Sequence, residues 1–272
     1  MACAKETVAI CEAGFYQAPS GKRVEIATAL RNAVAGTLLY SLENPPQPTT
    51  AQRANDTVIE VANQTTFEAI VRLQEQDRLV GCLNFASAKN AGGGFLTGAQ
   101  AQEESLARSS GLYPCLLQAP QYYERNRANR STIYLDLLIY SPLVPFFRND
   151  EGELLEQPVL ASVITAPAPN AGAVLQNEPQ NAGAIEPALR RRAELVLTIA
   201  QAHGIERLIL GAWGYGVFRN DPKLVAAVFA DLLKPTGKFS NVFSQVVFAV
   251  FDRSTGETTY RAFAEQFLGG AL

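Results

Sequence analysis

Apolar residues along this chain follow two alternating patterns, which predict strands and helices in turn. Continuous apolar runs predict strands at residues 57–62, 79–85, 133–140, 159–165, 207–210 and 242–251. Helical spacing predicts helices over 23–39, from residue 65, over 189–200, from residue 221 and over 258–267. Strands that are apolar on both faces and alternate with helices are typical of an α/β sheet that is covered on both sides.

Local signals add detail to this pattern. Thr65 and Glu68 predict a capping box, and Thr97 with Gln100 predicts a second helix start. Asp221 before Pro222 predicts a third. The prolines within residues 141–152 favour an edge or a loop, and the Gly, Ala, Asn, Gln and Pro content of 171–186 predicts a long exposed loop. Without repeats or a convincing linker, residues 1–272 are predicted to form one domain.

Composition excludes several classes of function. A net charge of −3 argues against a protein that binds nucleic acid by neutralising phosphates. No apolar run is long enough to span a bilayer, and the first residues lack the pattern of a signal peptide, so the expected compartment is the cytoplasm. The four cysteines are widely spaced and there is one histidine, so neither a metal site nor a disulfide framework is expected.

Three distinctive loops follow predicted strands: ASAKNAGGG at 86–94, APAPNAG at 166–172 and GAWGYGVFRNDP at 211–222. In a mostly parallel sheet these loops converge at the edge formed by the carboxyl ends of the strands. Two glycine-bearing loops that face each other suit a diphosphate, although each alone could be a tight turn. Neither loop has the Walker A pattern, and a nicotinamide fingerprint is absent, so no cofactor is expected.

Two adjacent carboxylates, Glu103 and Glu104, lie nine and ten residues beyond Gly94, the last of the three glycines. Helical neighbours project about 100° apart, so the pair would take two different roles rather than share one. A general acid with a raised pKa needs burial, so one of the two glutamates would have to face the crevice, and the sequence does not indicate which. An exposed pair on a helix is the alternative interpretation. The loop aromatics, Trp213 included, could stack on adenine or pack in the core, and Asn84 could bind ribose or cap a turn.

The spacing of three glycines, seven residues and Gln-Glu-Glu resembles the signature of poly(ADP-ribose) glycohydrolases, and the chain looks like their compact bacterial branch. Likeness also extends to FFRNDEGELLEQP, VITAPAPNAG and GAWGYGVFRNDP, and thus over about residues 20–270. The resemblance implies a macrodomain-like, three-layer α/β/α fold with a mixed sheet, in which residues 1–55 form an N-terminal helical extension.

The resemblance also implies roles for individual residues. Glu104 would be the catalytic acid and base, and Glu103 would bind the hydroxyls of the ribose that is cleaved. Phe218 would hold the distal ribose in place against Glu104. The remaining substrate-binding residues that it implies are Asn90, Gly92, Gly93, Gly94, Gln102, Gly214, Tyr215, Gly216 and Val217, with Pro167, Asn170 and Tyr123 suggested on the adenine side.

The implied substrate is poly(ADP-ribose), which would be cleaved without a metal to release ADP-ribose. Partners would be the polymer, ADP-ribose and ADP-ribosylated proteins, with a monomeric enzyme acting in the DNA damage response and without direct contact to nucleic acid or membrane. Two alternatives stay open: a macrodomain that only binds ADP-ribose, and a hydrolase of mono-ADP-ribosylated proteins. Whether cleavage occurs at chain ends or also internally is open as well.

Overall fold

The computed structural model describes residues 1–47, 57–74 and 78–269. The strands are β1 Phe15–Gln17, β2 Arg23–Glu25, β3 Leu38–Ser41, β4 Val58–Ala62, β5 Val80–Phe85, β6 Leu137–Arg148, β7 Leu154–Ala166, β8 Arg207–Leu210 and β9 Gln245–Ala249. The α-helices are α1 Ala2–Ala13, α2 Ala27–Ala35, α3 Thr66–Arg72, α4 Gln102–Ser109, α5 Leu112–Leu116, α6 Pro120–Ala128, α7 Ala171–Asn177, α8 Ile185–Ala202, α9 Pro222–Leu233 and α10 Thr258–Leu268. Two 3₁₀ turns occupy Phe95–Thr97 and Pro179–Ala184.

Seven of these strands form one mixed sheet in the order β3-β6-β7-β5-β8-β9-β4. Strands β7, β5, β8, β9 and β4 pair in parallel, whereas β6 is antiparallel to both of its neighbours. The carboxyl ends of the parallel strands therefore share one edge. The loops that follow β5, β7 and β8 leave the sheet at this edge, which confirms the predicted convergence.

Consecutive residues of the central strands face opposite sides of the sheet, and both sides are covered. Cys82 packs in a buried cluster with helices α3 to α6, and Leu83 packs in another cluster with α8, α9 and α10. Both side chains are inaccessible to solvent. This alternation is why the strands are apolar on both faces, and it confirms the predicted three-layer α/β/α architecture.

The N-terminal portion contains helices α1 and α2, and also three short strands. Strands β1 and β2 form a separate antiparallel hairpin, and β3 pairs with β6 at the edge of the main sheet. The single helix predicted over 23–39 is wrong, because its two ends make these backbone pairings and only Ala27–Ala35 is helical. Residues 48–55 of the predicted extension lie outside the described residues.

Two segments with turn-forming composition contain regular structure. Residues 141–148, predicted as an edge or a loop, continue β6, with Pro142 at a register shift. Strand β3 pairs only with Leu137–Tyr140, and beyond it residues 110–111 contact β6, where Ser110 bridges Phe146 and Gly111 N donates to Pro145 O at 2.9 Å. Residues 171–177 form α7, whose first turn is capped by the Asn170 side chain accepting from Ala173 N. The expected long loop is therefore a helix followed by a 3₁₀ turn.

Helix starts were predicted with mixed success. The Thr65–Glu68 capping box is present, and Asp221 caps α9 with Pro222 at its first position. The start at Thr97 is wrong: its hydroxyl donates to Gly94 O inside a 3₁₀ turn, and α4 begins at Gln102. Among the helices described, none combines the length and the hydropathy that crossing a bilayer requires.

Candidate active site

Gln102, the first residue of α4, joins this helix to the carboxyl end of β5. Its Oε1 accepts from Phe85 N at 2.9 Å, and its Nε2 donates to Leu83 O at 2.8 Å and to Thr66 Oγ1 at 3.1 Å. All three partners belong to the protein, so the amide has little capacity left for a ligand. The structure therefore places Gln102 where it sets the position of the next two residues, Glu103 and Glu104.

The Glu103 carboxylate is buried, with 3% of the residue exposed, beneath the loop that follows β5. Its Oε2 accepts from Ser87 N at 2.7 Å, and its Oε1 accepts from Asn84 Nδ2 at 3.3 Å. Burial raises the pKa of Glu103 to about 8, although hydrogen bonds from Ser87, Asn84 and Gly92 oppose the shift. Both carboxylate oxygens thus have fixed protein partners.

Glu104 is partly exposed and faces the glycine loop. Its Oε1 accepts from Gly94 N at 2.9 Å, and its Oε2 has no hydrogen-bond partner among the described residues. One oxygen is therefore anchored by the backbone while the other remains available. A carboxyl group that exchanges a proton with a bound molecule needs both a fixed orientation and a free oxygen, and Glu104 has both.

Gly93 lies directly against both carboxylates. Its φ of 60° is in the left-handed region, and a Cβ added there would overlap the Glu104 carboxylate and lie 3.1 Å from Glu103 Oε2. Gly92 has a φ of 69°, and a Cβ there would lie 2.9 Å from the Phe95 ring. The run of glycines is therefore required by backbone conformation and by the closeness of the two glutamates.

The loop after β8 is tied to the loop after β7 by buried polar groups. Trp213 Nε1 donates to Ala166 O at 3.1 Å, and Asn220 Nδ2 donates to Pro169 O at 2.8 Å and to Gly214 O at 3.0 Å. The indole has no exposed surface, so Trp213 is a core residue, as one of the two interpretations had it. These bonds hold the two loops together at the sheet edge.

The tip of the β8 loop is open to solvent. Tyr215 and Gly216 are exposed, and Val217 is 81% exposed. A Cβ added at Gly216 would meet no atom within 4 Å, so the backbone there is accessible. Exposed backbone amides on a glycine-bearing loop are suited to oxygen ligands such as phosphate.

Phe218 packs against Tyr134, with ring centroids 5.8 Å apart. Tyr134 has a φ of 63°, a strained value for a residue with a side chain, and its carbonyl accepts from Arg192 Nη2 at 2.8 Å. Asn170 lies in the same region, since its backbone N–H donates to Thr132 O at 2.9 Å.

Arg192 is a fully buried cation on α8 that sequence reasoning missed. Its Nε donates to Asp136 Oδ1 at 2.6 Å, its Nη1 to Pro167 O at 2.9 Å and its Nη2 to Ile133 O at 2.7 Å. It thereby fixes the segment that carries Tyr134 and the loop after β7. No spacing in the sequence distinguished Arg192 from its exposed neighbours Arg190 and Arg191.

Asn90 and Tyr123 line a cleft of ≈ 560 Å³ beside the glycine loop, together with Gly93 and Gly94. Asn90 is exposed, whereas Tyr123 is 4% exposed and its hydroxyl has no hydrogen-bond partner among the described residues. The structure therefore groups Tyr123 with the glycine loop, and it groups Asn170 with Phe218 at the other loop.

The Asn84 side chain and the backbone N–H of Ser87 complete the set of groups around Glu103. Asn84 is fully buried, and its Nδ2 donates to Thr165 Oγ1 at 3.1 Å as well as to Glu103. The sequence left ribose binding and turn capping open for Asn84. The structure favours neither role, because the side chain is fully buried and donates to Glu103. Within the described ranges, no group of three or more His, Cys, Asp or Glu residues is arranged to hold a metal ion.

Solved structures of poly(ADP-ribose) glycohydrolases have the same fold as this chain. The crystal structure of poly(ADP-ribose) glycohydrolase from Thermomonospora curvata matches with a TM-score of 0.91 and 48% identity over 98% of each chain. The same enzyme bound to the inhibitor ADP-HPD matches with a TM-score of 0.89 and 48% identity over 98% of each chain. The Deinococcus radiodurans enzyme in complex with ADP-ribose matches with a TM-score of 0.81 and 44% identity, over 89% of this chain and 98% of the other chain. Fold and site together define a macrodomain-like glycohydrolase.

A family model described as "Microbial-type PARG, catalytic domain" matches residues 4–149, a span that includes the glycine loop and both glutamates. The chain belongs to this family of microbial-type poly(ADP-ribose) glycohydrolases, as the resemblance of its signature implied. Among curated protein sequences, none matches the chain.

Proposed function

We propose that this enzyme hydrolyses the ribose–ribose O-glycosidic bond of poly(ADP-ribose) with Glu104 as both general acid and general base. The observation that carries the proposal is the contrast between the two glutamates. Glu104 has one oxygen anchored on Gly94 N and one oxygen free, whereas both oxygens of Glu103 are held by Ser87 and Asn84. Only Glu104 combines a fixed position with an oxygen that can exchange a proton with substrate.

In the first step, protonated Glu104 donates its proton to the glycosidic oxygen. The bond between that oxygen and the anomeric carbon breaks with its electron pair going to oxygen, and the ribose develops oxocarbenium character. The shortened polymer leaves with a free hydroxyl. The Glu104 carboxylate then takes a proton from water as the water oxygen bonds the anomeric carbon, which yields ADP-ribose and restores the acid. Most glycosidases divide this work between two carboxylates.

Glu103 is proposed to position the ribose rather than to transfer protons. Its carboxyl group lies against Gly93 beside Glu104, and its raised pKa makes it a neutral acid over much of the range near pH 7. A buried group that accepts two hydrogen bonds and can also donate one suits ribose hydroxyls. Asn90, on the rim of the glycine loop, is proposed to contact the same ribose.

The two loops at the sheet edge are proposed to hold the rest of the released unit. Backbone amides of Gly214 to Val217 would wrap the diphosphate, which the exposure of that loop tip supports. Phe218 would press on the ribose, and its contact with Tyr134 supports a fixed ring position. Asn170 is proposed to lie on the adenine side.

The test compares wild type with Glu104→Gln on purified poly(ADP-ribose), with products separated by chromatography. Free ADP-ribose from wild type alone is the expected result. Binding by both proteins without release by either would indicate a module that only binds ADP-ribose. Release of ADP-ribose from mono-ADP-ribosylated protein alone would favour the other hydrolase.

ADP-ribosylated proteins are the proposed carriers of the polymer. Three further properties stay predictions: that the enzyme is a monomer, that it acts in the cytoplasm, and that it takes part in the DNA damage response. Light scattering of the purified enzyme measures its oligomeric state. A mass near the 29.4 kDa of one chain is the expected value.

A further inference from the structure

The cleft beside the glycine loop has a second wall that the proposed function leaves unused. This wall comes from α5 and α6 and includes Tyr113, Leu117 and Tyr123. The cleft volume of ≈ 560 Å³ falls within the range of about 300–1,000 Å³ that small-molecule sites occupy. The segment that the cleft shares with the catalytic centre is the glycine loop.

The cleft begins where Glu104 is anchored. Gly93 and Gly94 line it, and the same two glycines contact the Glu104 carboxylate. In the proposed function the released ADP-ribose unit extends from Glu104 towards the β8 loop, whose residues do not line this cleft. The sugar on the other side of the scissile oxygen must leave Glu104 in a different direction, and the cleft is the neighbouring space that the glycine loop lines.

The surface chemistry of the cleft matches a nucleoside diphosphate. Lys89 and Arg127 line it, whereas its lining includes no Asp or Glu residue. Both cations are exposed, and Arg127 Nη1 donates to Lys89 O at 2.7 Å, which brings the two residues together. Leu96 and Leu117 add apolar surface and are 43% and 50% exposed, which is costly unless a ligand covers it.

We propose that this cleft binds the leaving side of the substrate, namely the ADP-ribose unit next to the one that is released. Its diphosphate lies against Lys89 and Arg127, and its adenine covers Leu96 and Leu117. The inference rests on the proposed function, because it takes the scissile bond to lie at Glu104. The enzyme therefore binds two units of the polymer rather than the terminal unit alone.

The test uses two substrates that differ only on the leaving side. One is a dimer of ADP-ribose joined by the ribose–ribose bond, and the other is ADP-ribose with p-nitrophenol on its terminal ribose. The kcat/KM of each is measured for wild type and for Lys89→Gln and Lys89→Glu. Lys22→Glu is the matched control, since Lys22 is exposed in the β1–β2 turn and does not line the cleft.

Lys89→Gln is expected to lower kcat/KM for the dimer about 5-fold, the effect of one exposed ion pair, and Lys89→Glu about 30-fold. The aryl substrate and the Kd for ADP-ribose should change less than about 2-fold, as should every value for Lys22→Glu. Leu117→Ser tests the apolar side without altering charge, and it should also slow cleavage of the dimer alone.

Three outcomes would overturn the inference. Equal losses on both substrates with weaker ADP-ribose binding would assign the cleft to the released unit. No difference from the Lys22→Glu control, with Leu117→Ser also neutral, would show that the cleft binds no part of the polymer. A wild type that cleaves neither substrate would refute the proposed function itself, and the inference with it.

Discussion

Gly93 is the position where one added methyl group would disturb the catalytic centre most. In Gly93→Ala the new Cβ would overlap the Glu104 carboxylate while the backbone keeps a φ of 60°. The change therefore has two separable costs, one from the left-handed backbone and one from displacement of the carboxylate. A Cβ added at Gly94 would lie 3.9 Å from Glu104 Oε1, so the overlap is specific to Gly93.

The backbone cost of a side chain in the left-handed region is about 1–2 kcal/mol. Relief of the overlap requires Glu104 to leave its rotamer or to lose its bond from Gly94 N, which costs about 1 kcal/mol more. The effect on catalysis is larger than these energies suggest, because a displacement of about 1 Å at a reacting group can cost about 10²-fold in rate. We expect a modest loss of stability and a loss of about 10²-fold or more in kcat.

Gly204→Ala separates the two costs. Gly204 also has a positive φ, 66°, but a Cβ there would meet nothing within 4 Å, and it lies beyond the end of α8. Both variants should unfold at lower urea concentration than wild type, Gly93→Ala by the larger margin, while only Gly93→Ala loses turnover of poly(ADP-ribose). Full activity in Gly93→Ala, or equal inactivation of Gly204→Ala, would refute the link between this glycine and Glu104.

Three further predictions concern the groups around the glutamates. Gln102→Ala leaves Phe85 N and Leu83 O without their side-chain partner, and should lower the free energy of unfolding by about 2–3 kcal/mol, as measured by urea unfolding. Arg192→Lys keeps the positive charge but cannot reproduce the hydrogen bonds to three backbone carbonyls, so KM should rise more than kcat falls. Unchanged kinetics in a variant of equal stability would show that Arg192 does not position the site. Folding raises the pKa of Glu103 from 4.5 to about 8, so between these pH values the native state binds one proton more than the unfolded state. The free energy of unfolding of wild type should therefore fall by about 1 kcal/mol per pH unit as pH rises from 5 to 8. Glu103→Gln should remove this pH dependence.

Elements with local signals were predictable from sequence. The Thr65–Glu68 box and the Asp221-Pro222 start depend on contacts within one turn, so the sequence pattern is sufficient. The apolar run of β5 needs burial on both faces wherever the sheet places it. The three loops could be assigned to one edge because the ends of parallel strands must meet there, whereas the glutamates were placed in the same site by the resemblance of the signature.

The failures have a common cause in contacts between distant segments. Residues 171–177 have a loop-like composition, yet Glu178 accepts from Thr132 N and its hydroxyl at 2.7 Å and holds the end of α7 in place. These partners are 46 residues apart, so no local window contains the signal. Arg192 was missed for the same reason, since its partners lie 25 or more residues away along the chain.

The division of roles between Glu103 and Glu104 is tested most directly by measuring ADP-ribose affinity and single-turnover cleavage for Glu103→Gln and Glu104→Gln. Glu104→Gln should keep its Kd for ADP-ribose and lose more than about 10²-fold in rate, because only proton transfer is removed. Glu103→Gln should weaken ADP-ribose binding, because it alters the group that holds the ribose. Near-normal cleavage by Glu104→Gln, with the rate lost in Glu103→Gln instead, would contradict the assignment and make the buried glutamate the acid.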